Sequence, residues 1–264
     1  MLPKTIAALN FIDNPMVFRV ATLNLEQNHK CWEKRRELIT AQLKDLNPDV
    51  WGLNEIHIPT QTGRWLQRRT AESLGSRFTL VQQSKVNEDS RTQAEGLLAR
   101  YAVIEIANLD YQSYNCVALA ARFEIDARAL DVYVTHLIAA RVEDAARQYQ
   151  VRRLLEWIDT RDDADGSVVC GDFNATPDQP SIRLMLARYR PTQTQPTAFT
   201  PLREPGGEPT HPDWPRFDRC IDYIWVSESI KIHASGLCFN QPAKENPDLW
   251  PSDHVGVWAD LELG

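Results

Sequence analysis

Six places along the 264-residue chain put an acid, an amide or an imidazole at the end of an otherwise apolar run. Asn24 follows Phe18, Val20 and Thr22 at alternate positions, and Glu55 ends a run beginning at Val50. His136 follows Leu130, Val132 and Val134; Asp172 and Asn174 follow VVCG; Asp222 precedes Ile224 and Val226; and Asp253-His254 open the last apolar run. Alternate residues of a strand share a face, so each of these groups continues a buried face. One such residue is ordinarily a hydrogen-bonded core group, but six together are hard to explain by solvation, because a buried charge without a partner is costly.

The residue types suit phosphoester chemistry. Glu55 and the Asn24 side-chain carbonyl are hard oxygen ligands of the kind Mg2+ or Mn2+ takes, and such an ion polarises a phosphoryl oxygen. His254 with Asp222 or Asp253 fits a general base and the carboxylate that fixes its tautomer, with water as the nucleophile. His136 and Asn174 have donors for non-bridging oxygens, and Asp172 is placed to orient water or the metal shell. Other chemistries fit less well. Ser252-Asp253-His254 holds the residue types of a serine hydrolase, but adjacent residues cannot form a triad and there is no G-x-S-x-G elbow. No glycine-rich phosphate loop and no His or Cys pair at zinc spacing is present.

The elements that must hold these groups are mostly strands. Nine runs read as strands: 17–25, 48–56, 77–83, 96–107, 115–125, 130–138, 167–173, 219–227 and 254–263. Helical spacing places Trp32, Ile39, Leu43 and Leu46 on one face of 31–46, and Ala146, Tyr149, Leu154 and Trp157 on one face of 142–158, with shorter helices over 61–75 and 180–188. Strands outnumbering helices about two to one do not suit simple βαβ alternation, but suit two mixed sheets packed face to face with helices outside. Residues 189–216 hold seven of the sixteen prolines and Gly206-Gly207, which excludes regular structure there and predicts a long functional loop. Phe199, His211 and Trp214 in it are candidates for stacking on a substrate.

At this length one α/β domain over 1–264 is expected, with 1–16 as an N-terminal extension. The net charge of −7 argues against general attraction to polyanions, although 22 of the 29 basic residues are Arg, which grips phosphate bidentately. Five scattered cysteines read as reduced core residues. No apolar stretch approaches the ~20 residues of a membrane span, so a cytoplasmic monomer without stable membrane insertion is expected.

Taken in order, TLN (22–24), PDVWGLNEI (48–56), EGLLARYAV (95–103), VTHL (134–137), GDFNATP (171–177), IDYIWVS (221–227) and SDHVGV (252–257) resemble the endonuclease/exonuclease/phosphatase superfamily over nearly the whole chain. The resemblance implies a four-layer α/β/β/α sandwich with its site at the rim of the two sheets. It implies Mg2+ (or Mn2+) on Asn24 and Glu55 with Asp253 in the shell, Asp172 and Asn174 positioning nucleophile and phosphate, His136 at the phosphate or leaving group, and Asp222 pairing with His254 as base. Three departures stand out: Asn54 where a Gln usually precedes the metal-binding Glu, Ala99 where a Ser is usual, and Thr210-His211-Pro212 where Thr and an aromatic are frequent. The His of VTHL makes abasic-site repair the less expected activity.

The expected activity is therefore metal-dependent hydrolysis of a phosphodiester, on nucleic acid or on a small or lipid substrate, with Arg147 a candidate phosphate contact beside Arg141 and Gln150. The acidic net charge favours the small or lipid substrate slightly. Phosphomonoester hydrolysis and a catalytically silent binding protein of the same fold are the alternatives.

Overall fold

The computed structural model describes residues 16–26, 30–85, 92–139, 141–204, 207–208 and 217–264. Residues 1–15 of the expected extension, and the candidates His211 and Trp214, lie outside them. In chain order the elements are β1 (Val17–Asn24), α1 (Trp32–Leu46), β2 (Val50–His57), α2 (Thr62–Leu74), β3 (Thr79–Ser84), β4 (Gln93–Ala99), β5 (Val103–Asp110), β6 (Val117–Ile125), β7 (Arg128–His136), α3 (Asp144–Asp159), β8 (Gly166–Asp172), α4 (Pro180–Leu186), β9 (Arg190–Pro191), β10 (Asp222–Val226), β11 (Ile230–Cys238) and β12 (Gly256–Leu263). They form two six-stranded sheets, ordered β11-β12-β1-β2-β4-β3 and β5-β6-β7-β8-β10-β9.

Strand alternation feeds three cores. Phe18 and Val20, Leu130, Val132 and Val134, Val168 and Cys170, and Ile224 and Val226 meet in the seam between the sheets. The opposite faces, Ala21, Leu23, Trp51 and Leu53, pack beneath Trp32, Ile39, Leu43 and Leu66 of α1 and α2. Tyr133, Val169, Tyr223 and Trp225 pack beneath Val151, Leu154, Ile182 and Met185 of α3 and α4. This is the four-layer α/β/β/α sandwich that strand number and resemblance both imply.

Four expectations change. The run 96–107 is two strands in different sheets, because the chain leaves the first at Ala99 and enters the second at Val103. The buried face of α3 is Arg147, Gln150, Val151, Leu154, Leu155 and Ile158, while Tyr149 is exposed, because two long polar side chains are drawn inward. β11 escapes an apolar pattern because its burial is mixed along its length. The proline-rich stretch carries β9, and Ala198 forms bridges to Arg219 and His254, so it is not wholly irregular. The cysteines are all free, four of them buried and Cys31 half-buried.

Gly171 sits at φ 126°, beside the carbonyl of Thr135 on the neighbouring strand, where an added Cβ would collide with that oxygen. Both the backbone conformation and the close approach require glycine. Gly171→Ala is expected to cost about 3 kcal/mol or more in denaturant unfolding, from strain plus overpacking. Gly75→Ala, at φ 64° with nothing within 4 Å of the added Cβ, should cost only about 1 kcal/mol.

Candidate active site

Register places the first three groups. Asp172 of β8 is paired with His136 of β7 on one side and with Asp222 of β10 on the other. Register partners point to the same face, so three ionisable side chains stand abreast on the seam-facing side of the second sheet. Alternation puts Cys220 on that face and Ile221 on the opposite one with Tyr223 and Trp225, but β10 begins only at Asp222; Cys220 turns into the outer core and Ile221 packs on Ala198 and Phe199. His254, just ahead of β12, closes the group from the first sheet: its Nδ1 lies 2.8 Å from Asp222 Oδ2, and its Nε2 lies 4.0 Å from Asp172 Oδ2. Asp222, not Asp253, is thus the carboxylate that orients His254.

Asp172 and Asn174 both reach the site, but not through strand pleating. The strand ends at Asp172; Asn174 adopts φ 50°, its N–H donates to Asp172 Oδ1 at 2.8 Å, and Phe173 between them is buried in the outer core. The Asn174 Nδ2 group donates to His136 Nε2 at 3.0 Å and to the Leu137 carbonyl at 3.0 Å. Both its hydrogens are therefore committed, so Asn174 orients His136 and has no amide hydrogen left for a phosphate. Because an amide nitrogen only donates, His136 Nε2 accepts and the ring proton resides on Nδ1. That Nδ1 faces Glu55 and Glu95, each at 3.9 Å, and has no hydrogen-bond partner among the described residues.

A bulge supplies the first sheet's share. The β2–β4 register shifts between Leu53 and Ile56, and Glu55 has φ 60°. Leu53 and Ile56 both pack under the helices, which leaves the two residues between them, Asn54 and Glu55, turned to the seam. Asn24 Nδ2 reaches Glu55 Oε1 and Asp172 Oδ2, both at 3.1 Å. Asn54 joins the sheets: its Oδ1 accepts the Asp172 N–H at 2.9 Å, and its Nδ2 donates to Glu95 Oε2 at 2.5 Å and to the Thr135 carbonyl at 3.0 Å. Glu95 carries no mark as a participant because it stands just ahead of the apolar run 96–107 rather than at the end of one, and Asn54 stands out only as a departure from the usual glutamine.

Asp253 is brought to Asn24 by a clamp. Arg35 of α1, fully buried, donates from Nη1 to the carbonyls of Leu25 at 2.8 Å and Pro251 at 3.0 Å, and from Nη2 to Glu26 at 3.1 Å. Ser252 Oγ donates to the Asn24 carbonyl at 2.6 Å. The segment before Asp253-His254 is thereby tied to the segment after Asn24. The stretch 197–200 lies alongside: Thr200 N–H donates to the Asp253 carbonyl at 2.7 Å, and the Phe199 ring meets the His254 ring edge-on at 5.3 Å.

Charge is crowded here. Burial, and then the charge of Asp253, raises the Glu55 carboxyl; burial raises Glu95 to about 7; burial, and then Asp222, raises Asp172. Burial, and then Lys85, keeps His136 neutral. His254 is the reverse case, since burial would lower it but Asp222, Asp253 and Asp172 together raise it well above the usual imidazole value. A set of oxygen donors whose charges oppose one another fits a divalent cation, which removes the conflict. Glu55 and Asp253 offer such oxygens; Asn24 faces Glu55 and Asp172 with its amide nitrogen, while its Oδ1 accepts the Glu26 N–H at 3.0 Å. Ligand atoms of Asp172, Asp222 and His254 also lie within 4.8 Å of one another, but an ion among those three would break the His254–Asp222 hydrogen bond.

Arg147 is not part of the group. Its guanidinium is buried and bonds the carbonyls of Ala139 at 3.1 Å and Val142 at 2.9 Å and the Asp144 carboxylate at 3.3 Å, fastening the loop after β7 to α3. Gln150 does the same with the Ile138 N–H and the Ser113 carbonyl. Arg141 is exposed.

Comparison with known proteins matches residues 21–254 to the family described as "Endonuclease/Exonuclease/phosphatase family". Nocturnin of Rattus norvegicus is 24% identical over 259 residues, 88% of this chain and 59% of that protein, so the chain spans less than two thirds of that relative's length. The human Nocturnin catalytic domain, solved with a bound sulfate anion, has a TM-score of 0.70 at 23% identity, covering 94% of this chain and 95% of that one. An endonuclease/exonuclease/phosphatase from Bacteroides vulgatus has a TM-score of 0.73 at 19% identity, covering 94% and 100%.

The clamp sets a testable cost. Glu26→Ala leaves the buried Arg35 guanidinium without its carboxylate, and denaturant unfolding should show a loss of about 3 kcal/mol or more. A loss under about 0.5 kcal/mol, the range of ordinary surface substitutions, would mean that Arg35 does not depend on this pair.

Proposed function

The chain belongs to the endonuclease/exonuclease/phosphatase family, a family of phosphoesterases, and on that premise we propose that it hydrolyses a phosphodiester by water attack, with Mg2+ or Mn2+ held by Glu55, Asp253 and, once its side-chain amide turns over, Asn24, and with His254 as general base. The observation that carries this reading is the His254–Asp222 pair at 2.8 Å, with the second ring nitrogen turned to Asp172 inside a rim of carboxylates. Asp222 accepts the Nδ1 proton, which leaves Nε2 as the atom that takes a proton from water. In the ion-free site the carboxylates keep that imidazole protonated. A bound divalent ion supplies charge that polarises a phosphoryl oxygen and weakens this hold on the proton.

Asp172 orients the attacking water between His254 and the phosphate. His136, neutral and held by Asn174, stands beside Asp172 at the reacting group, with its Nε2 3.4 Å from Asp172 Oδ2. The chain acts as one cytoplasmic, monomeric catalytic domain, with the 189–216 loop at its mouth through residues 197–200. A small or lipid phosphodiester suits the charge inventory better than nucleic acid does. Net charge is −7, and Arg35, Arg122, Arg147 and Arg161 are all engaged with internal partners, so they cannot track a polyanion.

EDTA is expected to abolish hydrolysis of bis(p-nitrophenyl) phosphate, and Mg2+ or Mn2+ to restore it. His254→Ala and Asp172→Ala should each lower kcat by about 100-fold or more with far-UV circular dichroism unchanged; retained turnover in both would sink the assignment. Ranking kcat/KM over sphingomyelin, inositol phosphates, single-stranded RNA and plasmid DNA tests the substrate class.

A further inference from the structure

Beyond the pair that carries the proposed reaction, the opposite wall of the site has an unpaired corner. Glu95 Oε1 and His136 Nδ1 are buried, lie 3.9 Å apart and have no hydrogen-bond partner among the described residues. Glu55 Oε1 is 3.9 Å from the same nitrogen. Two carboxylates converging on one buried spot call for a positive charge. The group that approaches is Lys85, at the end of β3: its largely buried side chain brings Nζ to 3.9 Å from Glu95 Oε1.

Arg35 does not serve this corner, because its guanidinium is spent on Glu26 and three carbonyls. Many phosphoesterases place two divalent ions in such a site, one on each side of the reacting phosphate. A lysine ammonium is a compact point charge on a flexible stem, able to occupy an ion's position without coordinating ligands.

We propose that Lys85 is a built-in substitute for a second divalent ion, fixing the charge of the Glu55–Glu95–His136 corner so that the chain works with a single bound metal. The proposal rests on the reading of Glu55 as a metal ligand. Lys85 is thereby a positioning residue for Glu95 and His136, and it sets metal stoichiometry.

Titration calorimetry with Mn2+ alone separates the possibilities. The wild-type chain should bind a single Mn2+, and Lys85→Gln should bind a second one, because the corner has lost its cation. With bis(p-nitrophenyl) phosphate, Lys85→Gln should lose about tenfold in kcat/KM at low Mn2+, roughly the weight of one charge-assisted contact, and recover as Mn2+ is raised. Lys85→Arg should keep the single-ion stoichiometry. Two ions in the wild type, or one ion and undiminished kcat/KM in a folded Lys85→Gln, would overturn the substitution by Lys85 alone. Absence of any Mn2+ binding to the wild type would overturn the metal reading itself, and the wild-type titration decides between these even if the variant does not fold.

Discussion

Five carboxylates held at one end of a seam between two sheets is the constraint on which the rest of this structure depends. Glu55, Glu95, Asp172, Asp222 and Asp253 are all taken from water by the layers around them, and in a medium of low polarisability each needs a positive or hydrogen-bonding partner. The molecule answers locally. Asp222 has the His254 imidazole, Asp172 has the side chain of Asn24 and the N–H of Asn174, and Glu95 has Asn54 and a distant Lys85. What is left over, chiefly between Glu55 and Asp253, is the deficit that a divalent ion would make good on the proposed reading. The buried core under the site is therefore not a passive support: it keeps water from relieving the repulsion, so that a bound cation is worth more there than at an open surface.

The same constraint explains why backbone irregularities gather at this end. A regular β2 would turn Glu55 to the helix-facing side with Trp51 and Leu53; the bulge at Asn54 and Glu55 turns two consecutive polar residues into the seam instead. A regular continuation of β8 would carry Asn174 away along the strand direction; φ 50° folds it back onto His136. Gly171, at φ 126°, lets the β8 and β7 backbones approach so that Asp172 stands beside His136. Each departure from regularity moves one polar group across the short distance that separates a strand end from a neighbour's side chain.

Much of this was legible in the sequence. Polar residues at the ends of apolar runs marked Asn24, Glu55, His136, Asp172, Asn174, Asp222 and His254, and alternation assigned most of the strand faces that feed the seam. Alternation carries no record of where a strand starts or bulges, which is why it places Cys220 beside Asp222 although β10 begins only at Asp222, and why the run 96–107 hides a change of sheet. Nor does it separate a polar residue that faces a ligand from one that fastens a loop: Arg147 has the residue type of a phosphate contact, yet its hydrogen bonds run to main-chain carbonyls five to nine residues away and to the Asp144 carboxylate. The contacts of Glu95, Asn54, Arg35 and Glu26 carry no mark in the sequence for a related reason. Their partners lie 9 to 216 residues distant in the chain and are fixed only once the sheets pack.

Asn54 shows what that costs a motif-based reading. It replaces the glutamine that usually precedes the metal-binding Glu, and in the chain it sits next to Glu55. In the fold it never approaches the metal set; it reaches across the seam, with its oxygen on the Asp172 N–H and its nitrogen on Glu95 and the Thr135 carbonyl. Gly171 leaves so little room beside it that a Cβ there would lie 3.0 Å from the Asn54 oxygen, so a side chain one methylene longer would have to find another path. The shorter amide and the glycine are thus parts of one solution, which fixes the spacing of the two sheets where they must share a substrate. Substituting either residue changes the distance between the Asp172 side of the site and the Glu95 side, and with it the fit of whatever phosphate lies between.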